Sequence, residues 1–454
     1  MLLGRETELN QLHQYYERKG SRIVVLYGQK NMGKTSLVKA FVEDKKHVYY
    51  MARSCSEREQ RYQWALDLQK EGAEILGFPS FGEIFERITV GQNQKQVIVI
   101  DEFQYIVKTG SSFMEELVSF VRNNQEKTDV LVVLCSSAVG WVENTMLEKM
   151  GKNAYALSGF IKLKELKFAD LMEVFPYYSM EECVECYAIL GGVPGLWMRF
   201  GDRFSVKDNV IRSILPPTGI LVGDPLGIMS EELRETAVYN TILSAIAEGK
   251  RKLNDLHLHT GFSRAKISVY LKNLMELEIV EKVFSFETEG KEQAQKGIYR
   301  IKDHLTYFYF RFIYPSLSKL QTEDKATFYK ECIEPKLKSY VAEFFKDVCL
   351  EQLDERKRKG LLGFDYVKSG EWVGKSGVID IVARDDAGRM LVAKCCYDKG
   401  MVTYEDYEEL LASMKLAKIK AEHIYLFSMG RFDERLSLEA KVKTNLHLFA
   451  VNVR

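Results

Sequence analysis

Three short apolar runs stand out in the first third of the chain: Arg22-Ile23-Val24-Val25-Leu26-Tyr27, Gln96-Val97-Ile98-Val99-Ile100 and Asp129-Val130-Leu131-Val132-Val133-Leu134-Cys135. Each is strand-length, continuous rather than alternating, and rich in β-branched residues, the pattern of strands covered on both faces in a parallel sheet. Beyond residue 250 the period changes. Residues 253–259 read as a short helix, Thr260-Gly261-Phe262 as a turn, and Ser263 as the N-cap of a second helix on which Ile267, Leu271 and Leu274 share one face. That spacing leaves Arg264, Ser268 and Lys272 on the outer face. Alternation over 278–284 and 297–301 predicts two strands around the polar stretch 287–296, completing a winged fold. The dense aromatic run 307–312 is predicted to be mostly core. An amphipathic helix over 336–352, a hairpin of 377–383 with 390–396, a further helix and strands near Ile424 and Leu448 follow.

The segment after the first apolar run changes the picture most. Gly28-Gln29-Lys30-Asn31-Met32-Gly33-Lys34-Thr35 lies between a strand and the helix begun by Ser36, the setting in which this motif forms a phosphate-binding loop. Its backbone N–H groups and the positive end of the following helix face the phosphates, Lys34 reaches the β- and γ-phosphates, and Thr35 ligates Mg²⁺. The second run ends in Asp101-Glu102, where a parallel sheet presents carboxylates at its carboxyl edge. Asp101 suits Mg²⁺, and Glu102 suits a catalytic base for the attacking water. The third run delivers Ser136 and Ser137 to the same edge, as γ-phosphate sensors or as hydroxyls that cap a strand end.

Composition adds limits. The 454 residues, 46% of them hydrophobic, suffice for two or three domains. Lys plus Arg and Asp plus Glu balance at 64 each, so any nucleic-acid contact must come from a local patch. One such patch exists between residues 248 and 272, with six basic residues against two acids. Eight scattered cysteines do not form a disulfide scaffold, and the spacing of Cys183 and Cys186 is that of one helical turn. The absence of a signal-like or membrane-length apolar run implies a cytoplasmic protein with no membrane partner.

Gly4-Arg5-Glu6-x-Glu8-Leu9, Asp101-Glu102-Phe103-Gln104 and Gly191-Gly192-Val193-Pro194 together resemble the prokaryotic AAA-type "archaeal ATPase" family, and the later segments resemble members that carry a DUF234-type C-terminal region. The resemblance implies an α/β P-loop NTPase sheet with a helical lid, then a winged helix, then a degenerate α/β nuclease-like domain of the PD-(D/E)XK type. The expected domains are 1–225, 226–320 and 321–454. It also implies ATP and Mg²⁺ as ligands, an ATPase acting as a nucleotide-dependent switch toward a protein partner, and self-association as a further expectation. A DNA-binding regulator or defence factor is the alternative. Duplex DNA at Arg264, Ser268 and Lys272 and a winged helix packed as an interdomain lid stand as equal readings.

Two departures matter. Such proteins usually carry an arginine before the Ile161-Lys162-Leu163 stretch, but this chain has none between Arg122 and Arg199, so hydrolysis is expected to be slow. Lys149 or Lys152, as point charges without the planar fork, and Arg199, reaching back from the lid after the Gly-Gly-Val-Pro turn, are the alternative substitute cations. In the nuclease-like domain Glu343 and Asp380 match acidic positions, but the Glu-x-Lys positions read Lys394-Cys395-Cys396. The domain is therefore expected to be inactive, with Lys394 paired to Asp380 in place of a metal.

Overall fold

The computed structural model describes residues 3–75, 77–88, 95–108, 112–123, 129–216, 233, 235–286, 297–374 and 377–451. The boundary expected at 225 and the polar stretch 287–296 lie outside them. The chain forms two compact units, Met1–Leu166 with Val193–Gly195, and Lys167–Gly192 with Leu196–Arg454.

In the first unit, β1 (Arg22–Tyr27), β2 (His47–Met51), β3 (Gln96–Asp101), β4 (Val130–Ser136) and β5 (Leu157–Lys162) form one sheet in the order β2-β3-β4-β1-β5. Every pairing is parallel. The three runs read from the sequence are its central strands, and β3 and β4 are buried along their whole length. Helices Phe81–Ile88 and Phe113–Asn123 each turn an apolar face to one side of the sheet, where Phe85 stacks on Phe120. Because β4 lies between β1 and β3, its end sits between the phosphate-loop strand and the Asp101 strand.

The second unit opens with the short helix Phe168–Val174, and helix Met180–Leu190 follows, started by a capping box between Ser179 and Glu182 and burying both Cys183 and Cys186. Its central element is the 25-residue helix Glu334–Arg358, whose Tyr340 donates to the carbonyls of Ala188 and His304. The helix-turn-helix forms as read. Leu253–Thr260 and Arg264–Glu276 are helices, Ser263 accepts from the Lys266 amide, and Ile267, Leu271 and Leu274 are fully buried. β6 (Val280–Val283) and β7 (Ile298–Ile301) pair antiparallel as the wing. The aromatic run is core in the form of a helix, with Arg311 alone partly open and donating to the Ala247 carbonyl.

Behind it β8 (Tyr366–Val373), β9 (Val378–Asp385), β10 (Met390–Cys396), β12 (His423–Ser428) and β14 (Leu446–Ala450) form a mixed sheet in the order β14-β12-β10-β9-β8, and the two-residue strands β11 (Met401–Val402) and β13 (Arg431–Phe432) pair beside it. β8 escapes the sequence pattern because four of its residues, Lys368 to Glu371, are polar or glycine and only partly buried.

Burial raises the pKa of two acids within this unit. Glu185 is pushed up to about 7 by burial and then by Glu181 and Glu182, and Glu351 to about 7 by burial, partly offset by the Phe168 N–H it accepts at 2.8 Å. A carboxyl raised in the folded state contributes stability that is fully present below its unfolded value and is lost as pH rises through about 7. The expected result is a melting temperature that falls as pH rises from about 4.5 to about 7 and levels off above that, with a loss on the order of 1–3 kcal/mol for the pair. Glu185→Gln with Glu351→Gln flattens that dependence; an unchanged profile in calorimetry counts against it.

Candidate functional site

The turn after β1 wraps around the start of helix Lys34–Val42. Gly33 has φ +87, a left-handed conformation that a side chain would strain, and it serves as the helix N-cap. Lys34 is buried, and its Nζ donates to the carbonyls of Gly28 at 2.8 Å and Gln29 at 2.9 Å. Burial lowers its pKa, opposed by Glu102 and Asp101, so two acids face the ammonium across the site. The loop is braced on two sides. Arg5 donates to the Met32 carbonyl at 3.0 Å, and the Gly195 N–H donates to the Asn31 carbonyl at 2.9 Å. A Cβ on Gly195 would lie 2.8 Å from that of Asn31, so only glycine allows this approach.

At the end of β3, Asp101 Oδ2 accepts from the Tyr49 hydroxyl and lies 3.4 Å from the Thr35 hydroxyl, while Oδ1 accepts the Glu102 N–H at 3.0 Å. One carboxylate beside one hydroxyl, at the mouth of a phosphate loop, matches the ligand habit of Mg²⁺, which keeps waters and takes its remaining ligands from phosphate. Glu102 has φ +52, uncommon for a non-glycine residue, and its Oε2 accepts from Ser137 Oγ at 2.6 Å and Ser137 N at 3.1 Å. The two serines thus separate. Ser136 is fully buried and its Oγ accepts the Ala138 N–H at 3.1 Å, a strand-end cap, whereas Ser137 faces the acids. Arg199 is exposed in the second unit, as is Ser268, whose hydroxyl donates to the Arg264 carbonyl. Tyr49 was not singled out by sequence, because a tyrosine inside a strand looks the same whether its ring packs or its hydroxyl works.

On the helix-turn-helix, Arg264, Ser268 and Lys272 are exposed along one side of the second helix. Arg264 reaches the Asn254 side chain and Lys272 lies 3.8 Å from Glu276. These contacts are local and open to solvent.

The C-terminal sheet corrects one expectation. Asp380 and Lys394 do not pair. Val382 of β9 opposes Val392, and Ala393 opposes Ile381, which would set Asp380 opposite Lys394 in a regular hairpin. Yet between β8 and β9 the pairing runs from Gly370↔Val382 to Trp372↔Ile379, two steps against three, so β9 carries a bulge. Ile379, Val382, Val392 and Cys396 consequently share one core with helix Tyr404–Ala417. Lys394 faces that helix and pairs with Asp406 at 3.3 Å and Glu409 at 2.6 Å.

Asp380 turns to the other face, where its Oδ2 accepts the Cys395 N–H at 2.8 Å. Burial raises its pKa, and Lys346 and Lys394 oppose the shift. The cation next to this face is Lys346 of the long helix, paired with Glu371 of β8, to which Arg300 of the wing comes within 3.7 Å. Burial raises Glu371, but Lys346 and Arg300 outweigh it, leaving its pKa lowered. Glu343 is taken up by Arg251 and Tyr307. The wing is also fixed by its backbone: Phe286 N donates to the Glu371 carbonyl at 2.8 Å, and its ring packs in the same core as Trp372.

Residues 2–200 match a family described as an ATPase domain predominantly from Archaea, 240–282 a bacterial regulatory protein family of the arsR type, and 309–411 the DUF234 family of archaeal and bacterial proteins of unknown function. An uncharacterised protein of Methanocaldococcus jannaschii is 28% identical over 85% of each chain. Among solved structures, a Walker-type ATPase of Pyrococcus abyssi shares 18% identity over 68% of this chain and 96% of its own at a TM-score of 0.49. The ORC2 protein of Aeropyrum pernix, solved as ADPNP–ADP complexes, shares 16% over 70% and 94% at 0.46. No helix of the described residues is long and apolar enough to cross a membrane. By these matches the chain is similar, in order, to the ATPase domain family found predominantly in Archaea, to the arsR-type regulatory family with its winged helix, and to the DUF234 family.

Proposed function

We propose that this chain is an ATP-dependent molecular switch in the cytoplasm, with the nucleotide held by residues 28–36 and Mg²⁺ by Thr35, Asp101 and the phosphates. Lys34 offsets phosphate charge and Glu102 accepts the proton of the attacking water. Turnover is slow, because no arginine stands between Arg122 and Arg199 to stabilise the transition state. The observation that carries the switch reading is the turn Val193–Gly195. It belongs to the ATPase unit and its Gly195 N–H is bonded to the phosphate loop, while the chain on both sides of it belongs to the second unit. Nucleotide that reshapes the loop is thereby linked through the chain itself to the winged helix and the nuclease-like sheet. The test is copurification from the native host with Glu102→Gln, with and without ATP: a protein partner retained only with ATP supports the switch, and identical partners in both states contradict it.

A second reading is favoured by the exposed face of the recognition helix. There Arg264, Ser268 and Lys272 meet duplex DNA, so Arg264→Glu with Lys272→Glu lowers duplex affinity and reduces the slope of log K against log salt by about 2. If the intact protein shows no salt-sensitive duplex binding, the winged helix serves packing instead. The nuclease-like module is proposed to be inactive. On the face of Asp380 the β10 positions are Ala393 and Cys395, which supply no second carboxylate, and the cation acting on Asp380 from the long helix is Lys346.

A further inference from the structure

We propose that Gln104 is a positioning residue of the hydrolytic site, holding the Glu102 carboxylate so that one oxygen is left to take the proton of the attacking water. The inference rests on the ATPase reading above and adds to it a residue and a division of labour between the two oxygens of one carboxylate.

Gln104 is 1% exposed, and its Nε2 donates to Glu102 Oε2 and lies 3.5 Å from Ser137 Oγ. Together with the Ser137 hydroxyl and amide, Oε2 therefore receives three donors. Three donors saturate the lone pairs of one carboxylate oxygen, which leaves the acceptor capacity of the group on Oε1. The amide orientation follows from the same contacts, since the reverse one would set the Gln104 carbonyl against the carboxylate. As oriented, Gln104 Oε1 is buried with no hydrogen-bond partner, a costly state for a neutral amide beside a polar site. That oxygen is an unpartnered acceptor on the same amide that holds the Glu102 carboxylate.

The backbone is built for the same aim. Glu102 sits at φ +52, and the turn is held by Phe103, whose N–H donates to the Cys135 carbonyl at 3.0 Å and whose ring is fully buried. A strained residue over-determined by its neighbours is what a pre-aimed side chain requires. In the step this serves, the water oxygen bonds to the γ-phosphorus and its proton passes to Glu102 Oε1. The bond from phosphorus to the β–γ bridging oxygen breaks with its electron pair leaving on ADP, so the products are ADP and phosphate.

The test compares Gln104→Leu, Ser137→Ala and Ser137→Thr in ATP binding and in hydrolysis. Gln104→Leu and Ser137→Ala are expected to lower kcat by about 10-fold to 100-fold, with KM and the ATP dissociation constant within about twofold of wild type, and Ser137→Thr to restore most of the loss. Placed on Glu102→Gln, Gln104→Leu should add less than about twofold, because it acts through the carboxylate already removed. An unchanged kcat in Gln104→Leu, or a full further loss on the Glu102→Gln background, overturns the assignment. Loss of ATP binding in Gln104→Leu would also overturn it, by showing a structural role. Absence of hydrolysis in the wild type alongside intact ATP binding is a different result: it removes the ATPase reading, and this inference with it.

Discussion

Lys34→Ala loses MgATP affinity by about 100-fold or more, the equivalent of roughly 3 kcal/mol, while the protein remains folded. The ammonium is desolvated in the free protein, bonded only to the carbonyls of Gly28 and Gln29 and facing Glu102 and Asp101 across the site. A buried cation satisfied by neutral carbonyls gives little net stability, so its removal costs the fold within about 1 kcal/mol. Phosphate brings several negative charges to the same point, next to two carboxylates that repel them. Without the lysine the loop amides and the helix end must hold that charge alone. Isothermal calorimetry with MgATP reads the effect directly. Affinity within threefold of wild type would place the nucleotide elsewhere.

Lys346→Ala is expected to destabilise the second unit by about 3 kcal/mol, whereas Lys394→Ala costs less than about 1 kcal/mol. Lys346 is largely buried against Glu371, itself 13% exposed, and its charge also reaches the buried Asp380. Removing it leaves Glu371 with Arg300 at 3.7 Å as its paired cation, and Asp380 with the Cys395 N–H and the weaker influence of Lys394. Lys394 is different: Glu409 is 69% exposed, and Asp406 keeps Lys399 when Lys394 is removed. Lys346→Met with Glu371→Gln should recover about half of the single loss, since it removes both charges rather than stranding one. Urea unfolding of wild type and these variants, with Lys346→Met and Glu371→Gln also made singly, decides the matter. Equal losses for Lys346→Ala and Lys394→Ala, or additive effects in the double variant, would dissolve the cluster, and Mg²⁺-dependent DNA cleavage that vanishes in Asp380→Asn would return the module to the nucleases.

The sheet of the ATPase unit was legible because its strands are covered on both faces and therefore uniformly apolar, and because the phosphate loop binds phosphate with backbone in a fixed setting of strand and helix. The helix-turn-helix was legible for a similar reason, with Ser263 capping and Ile267, Leu271 and Leu274 in register. What could not be read depended on contacts distant in sequence. A single extra residue in β9 reverses which face Asp380 takes, and nothing in Val378 to Asp385 marks it, because Ile379, Ile381 and Val382 are interchangeable in pattern. The cations around Asp380 and Glu371 come from a helix and from the wing, so their spacing carried no motif. Tyr49 likewise meets Asp101 only when β2 and β3 are side by side, and Gln104 meets Ser137 only when β3 and β4 are.

The central claim is that the site between the phosphate loop and Asp101-Glu102 hydrolyses ATP with Glu102 as base. Single-turnover conversion of bound radiolabelled ATP by wild type and Glu102→Gln tests it most directly. The account predicts that wild type forms ADP on the order of 10⁻³ per second, as for a P-loop site lacking its arginine, while Glu102→Gln binds ATP and retains it. Conversion at the same rate in both proteins, or no ATP bound by either, would contradict it.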